Sequence, residues 1–224
     1  MTTKILPINE QSLNQAAAII RSGGLVAFPT ETVYGLGADA LSPQAVKKIF
    51  EAKGRPGDNP LIVHISSHEN LPQIVREVPR EAETLLRRFA PGPLTLVLKR
   101  NYNIPNEVTA GLETVGVRIP SHPAARAFIN ACGRPIAAPS ANLSGSPSPT
   151  SAQHVLADLS GRIEIILDGG PCSVGVESTV LSLTGPEPML LRPGGVTLEQ
   201  LKSVLPNVQV HKSVLNQGMV DKAA

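Results

Sequence analysis

Three short segments of the chain combine cationic or hydrogen-bonding side chains with glycine or proline. They are residues 53–60 (KGRPGDNP), 114–118 (TVGVR) and 140–145 (SANLSG). Lysine and arginine donate charge-assisted hydrogen bonds of about 1.5–3 kcal/mol each, and glycine lets a bulky anion approach the main chain. The pattern is typical of a cavity that holds phosphate, and we interpret the chain as a nucleotide-using enzyme.

The first segment carries two cations at positions i and i+2. Because Pro56 disfavours helical backbone at the residue before it, we expect an extended segment from which Lys53 and Arg55 project together. Asn59, which precedes another proline, is expected to offer its side-chain amide to the same anion as Lys53 and Arg55. Taken alone, the segment is equally compatible with a solvated basic turn after a helix.

Two more arginines lie beside proline or glycine at the ends of predicted strands. Arg118 lies in the predicted strand 115–119, on the face opposite to its alternating apolar residues. Arg192 is followed by Pro193 and Gly194. Either arginine alone is compatible with simple solvent exposure. Three arginines in the same setting favour an anion cavity.

Other polar side chains are ambiguous when each is considered alone. Residues 139–145 follow a buried strand with hydroxyl and amide groups that suit phosphate or ribose oxygens, although serine and asparagine are also common turn formers. His64 lies inside an apolar strand, where a histidine is more often a packing residue than a ligand. Residues 30–32 and 177–179 form polar turns near glycines, in places where loops over a sheet carry function.

Several well-known signatures are absent from the sequence. There is no G-x-x-x-x-G-K-[ST] loop, and residues 35–37 lack the third glycine of a dinucleotide fingerprint. There is also no G-x-S-x-G elbow and no H-E-x-x-H helix. These absences argue against P-loop kinases, Rossmann dehydrogenases and the commonest hydrolases.

Composition indicates an ordinary globular protein. Of 224 residues, 42% are hydrophobic and 17% charged, and 20 Lys+Arg against 18 Asp+Glu give a net charge of only +2. An anion must therefore be held by local grouping of cations rather than by an overall field. Cys132 and Cys172 belong to no metal-binding cluster, and we expect two isolated buried thiols and no protein-held metal site. Without an apolar leader or an apolar run long enough to span a bilayer, we expect a cytoplasmic protein with no membrane partner.

Helical and strand patterns alternate along most of the chain, which predicts an α/β fold with one sheet and flanking helices. Helices are predicted over 9–23, from 42, from 79, and near 122–131, 151–158 and 197–204. Strands are predicted over 25–28, 61–65, 94–98, 115–119, 136–138, 163–167, 178–183 and 189–191. Alternation weakens after residue 160, so we expect antiparallel pairs there and a mixed sheet overall.

Six segments taken together resemble the YrdC-type L-threonylcarbamoyladenylate synthases. They are residues 29–37, 53–61, 115–120, 139–145, 177–179 and 191–194, in the order that the family has them. The resemblance covers the chain from about residue 5 to 205. It implies a single-domain, YrdC-like twisted mixed sheet around a basic concave cavity. The implied nucleotidyltransferase joins L-threonine, bicarbonate or CO2 and ATP, with Mg2+ accompanying the nucleotide, into threonylcarbamoyl-AMP and pyrophosphate. That product serves N6-threonylcarbamoyladenosine modification of tRNA by a downstream threonylcarbamoyl-transferase complex.

The resemblance also assigns roles to residues. The positions at which the family holds threonine are Thr32, His64, Arg118, Ala138 and Ser178. The positions at which it holds ATP are Lys53, Arg55, Asn59, Thr114, Ser140, Ser148 and Arg192. Lys53 and Arg55 are the expected catalytic residues, because they would stabilise the charge that grows on the phosphates.

Two other functions stay open at this stage. One is a module that binds double-stranded RNA or tRNA by shape, since 3% aromatic residues without tryptophan argue against base stacking. The other is a paralogous enzyme with a different acceptor. We further expect a catalytic domain over residues 1–207 and a polar tail or linker start over 208–224, so that the chain is a natural short form or a truncated two-domain form.

Overall fold

The computed structural model describes residues 2–215. Its strands are β1 (Lys4–Pro7), β2 (Val26–Phe28), β3 (Gly35–Asp39), β4 (Ile62–His64), β5 (Leu94–Lys99), β6 (Thr114–Arg118), β7 (Ile136–Ala138), β8 (Ile165–Asp168), β9 (Thr179–Ser182), β10 (Met189–Arg192) and β11 (Gln209–Val210). Its α-helices are α1 (Glu10–Arg21), α2 (Pro43–Lys53), α3 (Arg80–Phe89), α4 (Asn106–Thr109), α5 (Pro123–Cys132), α6 (Ala152–Leu159) and α7 (Leu198–Val204), and His68–Gln73 form a 3-10 helix.

All these strands belong to one mixed sheet in the order β1-β8-β2-β3-β7-β4-β6-β5-β9-β10-β11. The sheet contains parallel pairs, such as β4 with β6 and β5 with β9, and antiparallel pairs, such as β3 with β7 and β5 with β6. The predicted α/β class with a mixed sheet is confirmed. The antiparallel pairing expected after residue 160 is present between β9 and β10, but most antiparallel pairs precede residue 160, and β8 is parallel to both of its neighbours.

The core has a layer on each face of the sheet, as the alternation of side chains along a strand requires. Val26 and Phe28 of β2 pack with α1 and α5, whereas Ala27 between them belongs to the larger cluster on the opposite face. In the same way, Ala137 of β7 and Ile166 of β8 belong to the larger cluster, whereas the residues on either side of them belong to the smaller one. Both faces being covered explains why short apolar runs without polar alternation form the central strands.

β3 is the main strand that the sequence analysis missed. Its sequence, GLGAD, contains residues that are depleted in strands, yet all five residues are buried. A Cβ at Gly37 would lie 2.8 Å from the Ile136 side chain of β7 and 3.1 Å from the Phe28 ring. Close packing between strands therefore accounts for a glycine at this position.

The C-terminal boundary can be compared with the structure only in part. Gln209 and Val210, which the predicted division assigns to the tail, pair in parallel with Met189 and Leu190 as β11. Residues 216–224 lie outside the described residues. The division at residue 207 stays a prediction.

Candidate active site

A cavity of about 130 Å³, partly open to solvent, lies where six parts of the chain meet over the sheet. Eight of the predicted site residues line it: Thr32, Arg55, His64, Arg118, Ala138, Ser140, Ser178 and Arg192. All five positions predicted for threonine are among them. The remaining four, Lys53, Asn59, Thr114 and Ser148, do not line the cavity.

Arg118 lies at the end of β6 and forms a buried ion pair with Glu31. Its Nη2 donates to Glu31 Oε1 at 2.7 Å, its Nη1 donates to Thr32 Oγ1 at 3.0 Å, and its Nε is 3.4 Å from the carbonyl of Gly92. The side chains of the pair are only 4% and 7% exposed. The alternative of a solvent-exposed Arg118 is therefore wrong, and the guanidinium is held in one orientation.

Glu31 is a functional candidate that the sequence analysis did not single out. Besides Arg118, its carboxylate accepts a hydrogen bond from the main-chain N–H of Ser121 at 3.1 Å. Next to it, the hydroxyls of Thr30 and Thr32 are 3.0 Å apart, and Thr30 donates to the carbonyl of Val33. Its position beside the predicted threonine contact Thr32 was the available signal, but nothing in the sequence linked it to Arg118, 87 positions away.

His64 is buried at the end of β4, edge-on to the Phe28 ring with centroids 5.9 Å apart. Its Nδ1 is 3.2 Å from the carbonyl oxygen of Ile62. Burial, followed by the nearby charge of Arg118, lowers the pKa of His64 to about 3. The imidazole is therefore neutral at physiological pH and can serve as a hydrogen-bonding wall of the cavity rather than as a charge.

Arg192 lies at the end of β10 and contacts the two residues that immediately precede β9, Glu177 and Ser178. Its Nε and Nη2 donate to the Ser178 carbonyl at 3.1 and 2.9 Å, and its Nη1 forms an ion pair with Glu177 Oε2. The other oxygen of Glu177 accepts from Ser148 Oγ at 3.0 Å. Ser148 is thus one hydrogen bond away from the cavity lining, through Glu177.

Lys53 does not project with Arg55, so the expected extended cationic pair is wrong. Lys53 is the last residue of α2, and Gly54 ends the helix with φ of 60°, a left-handed conformation that favours glycine. The buried Lys53 Nζ donates to the carbonyls of Ser140 and Asn142 at 2.5 and 2.6 Å. Burial, followed by the charge of Arg55, lowers the pKa of Lys53 to about 8. Lys53 therefore fixes the loop that presents Ser140.

The other residues predicted to hold ATP occupy different settings. Arg55 lines the cavity and forms no ion pair with residues 2–215. Ser140 is held where the Gly35 and Ser140 main chains form an antiparallel bridge. Asn59 is exposed on the loop before β4. Thr114 begins β6, about 13 Å along the strand from Arg118 at 3.3 Å per residue.

The lining carries a modest positive charge. Arg55, Arg118 and Arg192 face Glu177 and the neutral His64, while Glu31 lies behind Arg118. In the described part of the chain there is no group of three His, Cys, Asp or Glu residues with the geometry to hold a metal ion. Cys132 and Cys172 are free, and burial raises their pKa values to about 12 and 11, so neither is an activated thiol. Cys132 is buried as expected, whereas Cys172 is only half-buried.

Helices of the described residues do not have the length and apolar character needed to cross a membrane. Comparison with known proteins adds the family. The Sua5/YciO/YrdC family model, described as "Telomere recombination", matches residues 18–194. The chain belongs to this family.

Curated relatives and a solved structure support the same assignment. The threonylcarbamoyl-AMP synthase of Pyrococcus abyssi is 56% identical over 212 residues, covering 95% of this chain and 62% of the relative. That of Bacillus subtilis is 56% identical over 217 residues, covering 96% of this chain and 63% of the relative. The crystal structure of P. abyssi Sua5 complexed with L-threonine matches with a TM-score of 0.93 at 55% identity, covering 96% of this chain and 64% of that one. This Sua5/YciO/YrdC chain thus spans less than two thirds of the length of these relatives.

Proposed function

We propose that this chain is an L-threonylcarbamoyladenylate synthase, which forms threonylcarbamoyl-AMP and pyrophosphate from L-threonine, bicarbonate or CO2 and ATP. The observation that carries the proposal is the convergence of Arg55, Arg118, Ser140 and Arg192 on one cavity from four distant segments. The names of the relatives and the L-threonine in the P. abyssi structure support the substrate assignment.

Threonine would bind in the buried half of the cavity, by way of Thr32, His64, Arg118, Ala138 and Ser178. Its carboxylate needs a fixed guanidinium, and Arg118 offers one whose orientation is set by Glu31 and Thr32. Neutral His64 and the main chain at Ala138 add uncharged contacts. Burial of these groups excludes water, which strengthens each electrostatic contact.

ATP would bind in the more exposed half, against Arg55, Ser140 and Arg192. Lys53, Asn59, Thr114 and Ser148 stay predictions for the nucleotide site; Lys53 would act by holding the Ser140 carbonyl and its loop. Mg2+ would be coordinated mainly by phosphate oxygens and water, as is usual for nucleotide-bound magnesium. Among the described residues that line the cavity, Glu177 would be the carboxylate available to the ion or its water shell.

In the proposed reaction, the neutral amine nitrogen of threonine bonds to the carbon of CO2 with loss of a proton, or to the carbon of bicarbonate with loss of water, and gives a carbamate. A carbamate oxygen then attacks the α-phosphorus of ATP in line with departing pyrophosphate. No covalent enzyme intermediate is needed, and positioning with charge neutralisation by Arg55 supplies most of the rate enhancement. The product would be passed to a threonylcarbamoyl-transferase complex that modifies tRNA. We place this activity in the cytoplasm as part of the proposal. Direct contact of the chain with tRNA or double-stranded RNA is also proposed.

The proposal is tested by measuring pyrophosphate release with single omissions of ATP, L-threonine and bicarbonate. Release should require all three, and mass spectrometry should detect threonylcarbamoyl-AMP. Replacing threonine by serine tests for a paralogue with another acceptor. Intact ATP in the complete mixture, together with RNA binding, would instead identify a binding module and contradict the proposed enzyme.

A further inference from the structure

Glu177 is the one acidic side chain among the described residues that line the cavity. Its carboxylate makes an ion pair with Arg192 through Oε2 and accepts the Ser148 hydroxyl through Oε1 at 3.0 Å. Both partners are residues predicted to hold ATP. An internal anion thus occupies the donors that the phosphates of a nucleotide would need.

The pair is accessible from solvent, unlike the other ion pair of the cavity. The Glu177 and Arg192 side chains are 37% and 39% exposed, against 7% and 4% for Glu31 and Arg118. A polyanion arriving from solvent can therefore reach Arg192 while Glu177 is still bound to it. An exposed ion pair contributes little to stability, so its exchange for a phosphate contact costs little.

Arg192 keeps its position when the carboxylate leaves. Its Nε and Nη2 are bound to the Ser178 carbonyl at 3.1 and 2.9 Å, and only Nη1 is paired with Glu177. The main chain of Glu177 is also fixed, because its carbonyl accepts from the Gly195 N–H at 3.2 Å. Release of the carboxylate is thus a side-chain rotation at Glu177 within a rigid frame.

We propose that Glu177 is an internal counter-ion that occupies the polyphosphate position in the unliganded protein and is displaced from Arg192 by the phosphates of the nucleotide. The inference rests on the proposed function and deepens it. Displacement makes binding selective for ligands with several phosphate charges. The return of the carboxylate to Arg192 competes with pyrophosphate and favours its release.

The test is calorimetric titration of inorganic pyrophosphate into the full chain and its Glu177→Gln variant, in metal-free buffer at low ionic strength. Gln keeps the size of the side chain and an oxygen that can accept from Ser148, but it loses the charge. We expect the Kd for pyrophosphate to fall about two- to fivefold, because the exposed ion pair with Arg192 no longer has to be broken before pyrophosphate binds. In an Arg192→Ala background the same substitution should give no such gain.

Glu113→Gln is the matched control, because Glu113 also pairs with arginines, Arg76 and Arg100, but on the surface and outside the cavity. It should leave the Kd unchanged, and thermal melting should show that all variants are folded. A Kd for Glu177→Gln that is equal to or higher than that of the wild type would overturn the inference, as would a gain that persists without Arg192. If neither pyrophosphate nor ATP binds the wild type, the proposed nucleotide site fails as well, which separates the two conclusions.

Discussion

The two halves of the cavity bind an anion differently: we call the half around Arg118 the amino-acid half and the half around Arg192 the nucleotide half, after the ligands proposed for them. In the amino-acid half, Arg118 is buried and is held by a buried carboxylate, Glu31, so the guanidinium is ready before any ligand arrives. In the nucleotide half, Arg192 is partly exposed and its carboxylate partner lies inside the cavity itself. The first half therefore needs no rearrangement to accept its ligand, and the second must exchange one anion for another.

This difference predicts how mutations in each half should affect stability and ligand binding. Breaking a buried ion pair leaves an uncompensated charge and damages the fold together with the site. Breaking an exposed one changes ligand binding with little cost to the fold. Stability and activity should therefore be lost together in the amino-acid half and separately in the nucleotide half.

Arg118→Ala should have the largest effect. It leaves Glu31 buried without its partner, which costs about 3–5 kcal/mol in the free energy of unfolding, and it removes the proposed contact to the threonine carboxylate. The free energy of unfolding measured in urea and the rate of threonine-dependent pyrophosphate release should both be severely reduced. Arg76→Ala, which breaks an exposed pair with Glu113, is the control and should cost no more than about 1 kcal/mol. Similar stabilities for the two variants would contradict the contrast between the halves.

Arg55→Ala should separate activity from stability. Arg55 forms no ion pair with any described residue and lies at the cavity wall, so its removal should change the free energy of unfolding by no more than about 0.5 kcal/mol. Loss of charge stabilisation at the phosphates should lower kcat for pyrophosphate release by about 100- to 1000-fold. Arg80→Ala, on the exposed surface of α3, should change neither quantity. Wild-type turnover in Arg55→Ala would refute its catalytic role.

The sequence predicted most of the fold because its elements carry strong local signals. The helix over α2 shows Ser42 and Pro43 at its start and glycine at its end, and the structure has the hydroxyl of Ser42 accepting from the Ala45 N–H at 3.2 Å. Strand β3 lacked any such signal. Its glycines are explained by contacts with β2 and β7, which are defined only once the sheet is assembled.

For the site, as for the fold, the sequence predicted what depends on local signals and missed what depends on long-range contacts. Local pattern and family resemblance together selected eight residues that line the cavity and drew attention to the turns 30–32 and 177–179, but they could not show that Glu31 and Glu177 pair with arginines. Glu31 and Arg118 meet only because β6 ends beside the loop after β2. The placement of Lys53 was wrong because the effect of Pro56 reaches only Arg55, whereas the helix continues through Lys53 and ends at Gly54.

Gly194→Ala should disturb the close packing between the segment after β10 and the main chain that leads into β9, next to Arg192. A Cβ there would lie 2.3 Å from the Glu177 carbonyl oxygen and 2.5 Å from main-chain atoms of Ser178 and Thr179, none of which can move without shifting the strand. We expect a loss of about 3 kcal/mol, the upper end of the usual cost of overpacking, and weaker ATP binding through displaced Arg192. Gly185→Ala, whose Cβ would meet only one atom at 3.7 Å, should be tolerated. Equal melting temperatures for both variants would show that the strand junction adapts.

The smallest effect should come from pH and should be confined to the amino-acid half. The pKa of His64 is about 3 in the folded protein and near 6.5 when unfolded, so the unfolded chain binds the additional proton as pH falls below 6.5. The His64 contribution to the free energy of unfolding should therefore fall by about 2 kcal/mol between pH 7 and pH 5. Chemical denaturation of wild type and His64→Gln at both pH values isolates it, because only the wild type contains this group. A pH dependence that is identical in the two proteins would mean that the imidazole accepts its proton beside Arg118 without cost, and the amino-acid half would then be as open to solvent as the nucleotide half.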